Sequence, residues 1–438
     1  MKEATALIFG SGGREAALAW KMQQSSMVSQ VIVAPGNAGM ARNTDIQICP
    51  CSLQAEPMLS LAERIQPDLI VIGPEQPLVE GVVDLLEEKG FVILGPHCLA
   101  AQLETSKIFS KLFMTEFAIP TADYAFYESY ESAMEGLKLW DFSDGIVIKS
   151  DALAGGKGVV LCDRKEEAEK VLYDFMKNPA VSVKTDKILF EKKLRGREIS
   201  AFALLDGHHF VPIGYACDYK RVGDGDQGPN TGGMGTFTPS DIPDEHQEKK
   251  ILDIFSKVNE GMKKRGTPYQ GVLFAGLMVD GTGVDSQVNV VEFNIRFGDP
   301  ETQSLLPTLS GDIYELLYKT AQGTLLGNHS ISTDIRSEKR AVHVVLASKG
   351  YPSLDKKKHP ILTGQKITLP TKIPEQAEIF FAGVKEQNGD ILNSGGRVLG
   401  VTYVADTVQE ARVGAYKLVD KIKFEGRHYR SDIAKGRV

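Results

Sequence analysis

Val290-Val291-Glu292-Phe293-Asn294-Ile295-Arg296-Phe297-Gly298-Asp299-Pro300-Glu301 reads as a strand running into a tight loop. Side chains alternate along a strand, so Glu292, Asn294 and Arg296 fall on one face and Val291, Phe293 and Ile295 on the other. A carboxylate, an amide oxygen and a guanidinium in line suit a hard divalent cation and the phosphoryl or carboxylate oxygens beside it. A salt-bridged sheet face is the plainer alternative. The preceding strand adds only Asp280, near its turn, as a further carboxylate.

Upstream, Asp151-Ala152-Leu153-Ala154-Gly155-Gly156-Lys157-Gly158-Val159-Val160 places three glycines around a lysine between two strands. Such a hairpin can bring backbone N–H groups over a polyphosphate. It is not the Walker A pattern, since no Ser or Thr follows the lysine and no helix follows the loop. Lys149 ends the strand before it, Lys107 opens a helix, and Glu191 and Glu198 follow the Ile188 strand. Asp218-Tyr219-Lys220-Arg221 precedes a glycine-rich turn, Gly228-Pro229-Asn230-Thr231-Gly232-Gly233-Met234-Gly235. A surface loop accounts for either half alone.

The first hundred residues alternate β-rich runs (Ala6 to Phe9, Val31 to Ala34, Leu69 to Ile72, Val92 to Leu94) with helical patterns, which predicts a parallel sheet with crossover helices. Each strand ends in small residues: Gly10-Ser11-Gly12-Gly13, Pro35-Gly36-Asn37-Ala38-Gly39, Gly73-Pro74-Glu75 and Gly95-Pro96. Carboxyl ends of such strands form the ligand crevice. A dinucleotide is a poor fit, because Glu15 holds the third glycine position and no acidic residue ends the second strand. A cradle for one phosphate at a helix N-terminus, with Arg14 adding charge, fits better. Further on, helices are predicted over Ser106 to Phe117, Lys165 to Met176, His246 to Lys264 and Val408 to Lys421, and a hairpin at Asp206-Gly207.

The composition sets outer bounds. The 438 residues allow two to four domains, and a net charge of -7 gives no field for a nucleic acid. Five scattered cysteines argue for a reducing cytoplasm rather than a disulfide framework, and Cys49-Pro50-Cys51 lacks a second Cys or His pair nearby for a metal. No apolar run reaches the roughly 18 residues a membrane helix needs, and no signal peptide is evident. Glycine, 43 residues, stands above the usual share of about 7% and gathers in the loops just quoted.

Taken in order, these motifs resemble the ATP-grasp superfamily and, within it, the phosphoribosylamine–glycine ligase family. The resemblance runs from Gly10 to about Asp432 and includes Lys220-Arg221-Val222-Gly223-Asp224, Ser394-Gly395-Gly396-Arg397-Val398 and Tyr429-Arg430-Ser431-Asp432-Ile433. It implies an α/β and α+β multidomain chain: a Rossmann-like parallel-sheet domain (1–104), an ATP-grasp body (105–122 and 195–330), an ATP-grasp lid (123–194) and a mixed α/β carboxy-terminal domain (331–438). It implies ATP and Mg2+ or Mn2+ as cofactors, glycine and 5-phosphoribosylamine as substrates, and purine biosynthesis as the setting. A cytoplasmic monomer is expected, touching neighbouring pathway enzymes at most transiently.

By the same resemblance Lys107, Lys149, Gly155, Gly156, Lys157 and Gly158 hold the ATP phosphates, Glu191 and Leu194 line the adenine, and Glu198 meets the ribose. Glu292 and Asn294 ligate the metal. Arg296, Lys220 and Asp218 serve the reacting end, with Arg221, Asn230, Thr231, Gly232, Gly233, Gly298 and Asp299 around it. Gly12, Gly13, Arg14, Glu15, Asn37, Gly39, Pro74 and Glu75 hold the phosphoribosyl part. Ala16 and Tyr219 stand where the family pattern has His. The alternatives are another ATP-grasp carboxylate–amine ligase or carboxylase, and an inactive paralogue that only binds nucleotide.

Overall fold

The computed structural model describes residues 4–43, 45–152, 158–178, 184–239, 241, 243–325, 335–353 and 360–436. Strands β1 (Ala4–Gly10), β2 (Val28–Pro35), β3 (Ile46–Ile48), β4 (Leu69–Ile72) and β5 (Ile93–Leu94) form a parallel sheet in the order β3-β2-β1-β4-β5. Strands covered on both faces are apolar throughout, and β4, Leu-Ile-Val-Ile, is buried at every position. Helices α1 (Gly13–Met22), α2 (Ala55–Ile65), α3 (Glu75–Val79) and α4 (Val82–Glu88) connect them. The strand order reverses between β1 and β4, where a ligand crevice is expected.

After α5 (Gln102–Thr105) and α6 (Lys107–Glu116), the strands β6 (Tyr124–Tyr127), β7 (Ile146–Ser150), β8 (Val159–Cys162) and β9 (Ile188–Glu191) make a separate antiparallel sheet, β6-β9-β7-β8. Helices α7 (Tyr130–Leu139) and α8 (Lys165–Met176) back it, and Leu137, Ile148, Leu172 and Phe190 belong to a core of its own.

The rest of the chain builds one large sheet. Its strands are β10 (Arg197–Asp206), β11 (Phe210–Asp218), β14 (Gly235–Phe237), β15 (Gln270–Asp280), β16 (Gln287–Asn294), β17 (Arg340–Ser348), β18 (Ala377–Phe381) and β21 (Arg397–Ala405), ordered β16-β15-β10-β11-β14-β17-β21-β18, with β22 (Arg427–His428) beside β17. Two small hairpins, β12 (Arg221–Gly223) with β13 (Gln227–Asn230) and β19 (Val384–Gln387) with β20 (Asp390–Asn393), stand off it. Helices α9 (Glu245–Lys264), α10 (Glu301–Leu305), α11 (Ile313–Ala321) and α12 (Val408–Val419) complete the elements used below. Asp244 starts α9 by accepting from the N–H groups of His246 and Gln247, while Gln247 Oε1 accepts from Asp244 N–H, a reciprocal cap.

Two features were not expected. Apart from the β19–β20 hairpin, the described strands after residue 331 join the large sheet: Phe237 pairs with Cys217 on one side and Val342 on the other, so short β14 fuses both halves. Alternation along β16 is also broken. Leu277 faces Val290 and the next residue back, Gly276, faces Glu292, which leaves Val291 bulged. Before the bulge the even positions Val288 and Val290 enter the core; after it Phe293 and Ile295 do. An unbroken strand pointing Val290 inward would bury Glu292 beside it. Val291 is thus the residue that changes faces, not part of the apolar face.

Candidate functional site

A cleft of about 1220 Å³ opens between the three sheets, and β16 supplies its floor. Glu292, Asn294 and Arg296 all line it. Burial alone would raise the Glu292 carboxyl, but Lys220, Lys149, Lys107 and Arg296 bring it below the ordinary carboxylate range. Asn294 Oδ1 accepts from Arg296 Nη2 at 3.2 Å, and its Nδ2 is buried without a partner among the described residues. Arg296 lies 3.6 Å from both Glu75 Oε2 and Glu104 Oε1. Burial opposes its charge while Glu104 and Glu75 restore it, leaving the guanidinium raised.

The ionised Glu292 and the loosely held Asn294 amide fit a hard divalent cation, which needs few protein oxygens when phosphates and water supply the rest. Among the described residues no cluster of three His, Cys, Asp or Glu offers a self-sufficient metal cage. Asp280 lies at the far end of β15 opposite Gln287, away from Glu292; among the cleft carboxylates Glu104 is close enough for the Glu292 charge to act on it.

The antiparallel sheet of β6 to β9 forms the opposite wall. Lys149 is buried at the end of β7, with Nζ donating to Val291 O at 3.1 Å and paired with Glu191 Oε1 at 2.8 Å. Lys111 takes the other Glu191 oxygen at 3.1 Å; burial lowers its pKa to about 8 against the pull of Glu191. Ser106 caps α6 by accepting from Phe109 N–H, while Asp151 accepts from Ser106 Oγ and Ile108 N–H, so Lys107 is fixed beside the base of the glycine hairpin. Lys107 Nζ donates to Ala152 O at 3.1 Å, and burial lowers its pKa against the pull of Glu292. Gly158 lines the cleft; Gly155, Gly156 and Lys157 lie outside the described residues. Leu194 is half-buried on the β9–β10 connection and not in the cleft lining. Glu198 reaches the cleft but is ion-paired to Lys220.

The third side carries the acidic end. Asp218 is enclosed next to Glu301, and burial first, then Glu301, pushes its carboxyl well up despite Lys220. Its Oδ1 has no hydrogen-bond partner among the described residues. Gly233, at φ +110°, makes room for it, since a Cβ there would stand 2.8 Å from Asp218 Oδ1 and collide with Pro300. Gly298 likewise leaves space for the Glu301 carboxylate. Arg397 Nη1 donates to Gly232 O at 2.6 Å and Asp299 O at 2.8 Å, and Nη2 lies 3.3 Å from Asp299 Oδ2. Arg221, Asn230, Thr231 and Gly232 line the rim.

The amino-terminal loops depart most from expectation. Glu15 folds back into the crevice between Gly10 and Gly73 and accepts from Gly12 N–H at 2.6 Å, so that helix-start donor is already taken. Asn37 donates to Ser11 O and Phe381 O and accepts from the N–H groups of Gly39 and Met40; its amide is satisfied within the fold. Gly39 admits the Phe381 ring, and Gly13 the Gln303 amide. None of Gly12, Gly13, Glu15, Asn37 or Gly39 lines the cleft, whereas Arg14, Pro74 and Glu75 do.

Five residues around the cleft carried no assignment: Glu104, Lys111, Glu301, Arg397 and His343. Lys111 had a signal, one turn from Lys107 on the same helix. Glu301 and Arg397 sit in quoted motifs. Glu104 and the buried His343, whose pKa burial lowers to about 3 near Asp299 and Arg397, had none.

Models of phosphoribosylglycinamide synthetase match in chain order: the N domain over residues 4–104, the ATP-grasp (A) domain over 105–302 and the C domain over 341–436. A phosphoribosylamine–glycine ligase of Rhodopirellula baltica is 40% identical over 99% of this chain and 98% of its own. A bifunctional purine biosynthetic protein of Pichia angusta is 39% identical over 99% of this chain, which spans only 54% of that protein. A crystal structure of phosphoribosylamine–glycine ligase from Thermotoga maritima superposes with a TM-score of 0.83 at 36% identity, over 98% of this chain and 100% of that one. With the motifs, three domain models and a full-length structural match in agreement, the chain belongs to the phosphoribosylamine–glycine ligase family of ATP-grasp enzymes.

Proposed function

We propose that the chain joins glycine to 5-phosphoribosylamine at the expense of ATP, through glycyl phosphate, giving glycinamide ribonucleotide, ADP and phosphate. The observation that carries this reading is the convergence of Lys107, Lys149, Lys220 and Arg296 on Glu292 in one cleft, an arrangement for a polyphosphate with a divalent cation. Membership of an ATP-grasp family implies ATP and a divalent metal; Mg2+ or Mn2+ is the ion proposed. When bound by Glu292 and Asn294, the ion neutralises charge on the transferring phosphoryl group.

A carboxylate does not acylate an amine directly, so the γ-phosphoryl group first goes to a glycine oxygen and the amine then displaces phosphate. The chain contributes positioning and charge rather than a covalent intermediate. Lys107 and Lys149 hold phosphate oxygens, Glu191 and Glu198 border the nucleoside, and the hairpin around Gly158 excludes water. Arg296 orients the glycine carboxylate or the transferred group, and Asp218, Lys220 and Arg221 face the amine. Arg14, Pro74 and Glu75 border the phosphoribosyl part. The proposed division of labour assigns 1–104 to that part, 123–194 to the lid, and 105–122 with 195–330 to the metal. A cytoplasmic monomer is proposed.

The test is ADP release from ATP with Mg2+ or Mn2+, with glycine and freshly made phosphoribosylamine added separately and together. Release requiring both is expected. Release driven by formate or bicarbonate would move the chain to another ATP-grasp activity, and nucleotide binding without release under any combination would make it an inactive paralogue.

A further inference from the structure

The segment 427–434, including the motif Tyr429-Arg430-Ser431-Asp432-Ile433, has no part in the chemistry above, yet it is fastened to the cleft. Arg430 is a large charged side chain with 1% exposure. Its Nη1 donates to Arg221 O at 3.0 Å and to Asp226 Oδ1 at 2.8 Å, its Nε and Nη2 bind Asp432, and its guanidinium lies 4.7 Å from the Tyr219 ring centre. Ala434 N–H donates to Tyr219 Oη at 2.9 Å. The segment therefore grips Tyr219 and Arg221, the neighbours of Lys220 on either side.

The opposite end of the grip is firm. Tyr416 Oη on α12 donates to Arg430 O at 2.6 Å, and Arg412 donates to Ser431 O and Ile433 O. Asp432 Oδ2 accepts from Gly225 N–H and Asp224 Oδ1 from Ser431 N–H, tying down the β12–β13 turn. That hairpin in turn continues into Thr231, whose N–H and hydroxyl both donate to Lys220 O.

We propose that Arg430 is a positioning residue: clamped by α12, it holds the Arg221 backbone on one side of Lys220 and the Tyr219 ring on the other, and so sets the geometry of the cleft wall that meets the amine substrate. This rests on the ligase reading above. Arg is required rather than Lys, because one planar fork must serve a carbonyl and two carboxylates while lying on an aromatic face. Tyr219, at the position where the family pattern has His, gives the clamp both its ring and its hydroxyl acceptor.

The experiment compares wild type with Arg430→Lys, Arg430→Ala and Tyr219→Phe by steady-state kinetics, ADP titration calorimetry and amide hydrogen exchange. Expected for both Arg430 variants are faster exchange confined to about residues 219–232, a rise in KM for phosphoribosylamine with a fall in kcat of about tenfold or more, and unchanged ADP affinity. Tyr219→Phe, which removes the hydroxyl acceptor and keeps the ring, shows the same pattern more weakly and serves if Arg430→Ala fails to fold. Wild-type exchange at 219–232 in a folded variant, or normal kinetics per folded molecule, would overturn the proposal. If wild type itself releases no ADP, the ligase reading fails; the exchange pattern then decides the clamp alone.

Discussion

Two loops that look alike in sequence do opposite things. Pro35-Gly36-Asn37-Ala38-Gly39 and Arg296-Phe297-Gly298-Asp299-Pro300-Glu301 both follow a strand and mix glycine with polar groups. In the first, the Asn37 amide is satisfied on all sides by backbone, and Gly39 lets Phe381 pack against it. In the second, Arg296 keeps its carboxylates at 3.6 Å, and Glu301 lies beside an Asp218 oxygen without a hydrogen-bond partner among the described residues. The four hydrogen bonds of the Asn37 carboxamide are met by backbone alone, from its own turn, from Ser11 and from Phe381. The Arg296 guanidinium and the carboxylates around it are not met in this way, so their unmet capacity faces the cleft.

That contrast is broken most severely at its charged end. Glu292→Gln removes the charge on which four cations converge, and kcat should fall by about 10³-fold, with a lower melting temperature at pH 7 because the charged carboxylate is the form the fold favours. The same assay on Arg296→Lys, which keeps charge but not the fork, should show a loss of about 10²-fold. Gly39→Ala is the converse: the new Cβ meets Phe381, stability drops by about 1–3 kcal/mol in denaturant titration, and activity per folded molecule stays at wild-type level. Asn37→Ala should do the same at about 1–3 kcal/mol by orphaning its backbone partners.

The smallest effect concerns pH. Asp218 has a folded pKa raised by burial and by Glu301. Its protonated form favours the fold below the unfolded value, roughly 3.9, and that contribution is lost as pH rises through the folded value. Asp218→Asn should therefore raise the melting temperature at pH 8 and leave it unchanged near pH 4, while activity is lost. A melting temperature that falls at pH 8 would show that Asp218 is paired more favourably than its surroundings indicate.

Much of this was legible from one chain. Continuous apolar runs marked β1, β2 and β4, and period-2 spacing marked Glu292 and Asn294 as partners. The Val291 bulge was invisible, because one extra residue in a ladder leaves no compositional trace. So was the placement of Arg397, which reaches Asp299 only because β21 lies beside β17 and β17 beside β14. The Glu15 contact is equally silent in the sequence: helix-start donors invite an anion, and nothing local says that the Gly12 N–H goes to the chain's own Glu15.

Short β14 has a mechanical consequence. Three residues stitch strands β10, β11, β15 and β16 to the carboxy-terminal strands in a single sheet, so those parts cannot part company without tearing a ladder. The wall made by β6 to β9 has its own sheet and its own core. That wall meets the large sheet through the chain near residues 120 and 195 and through no shared ladder, so a pull on it loads two stretches of chain instead of a row of strand hydrogen bonds.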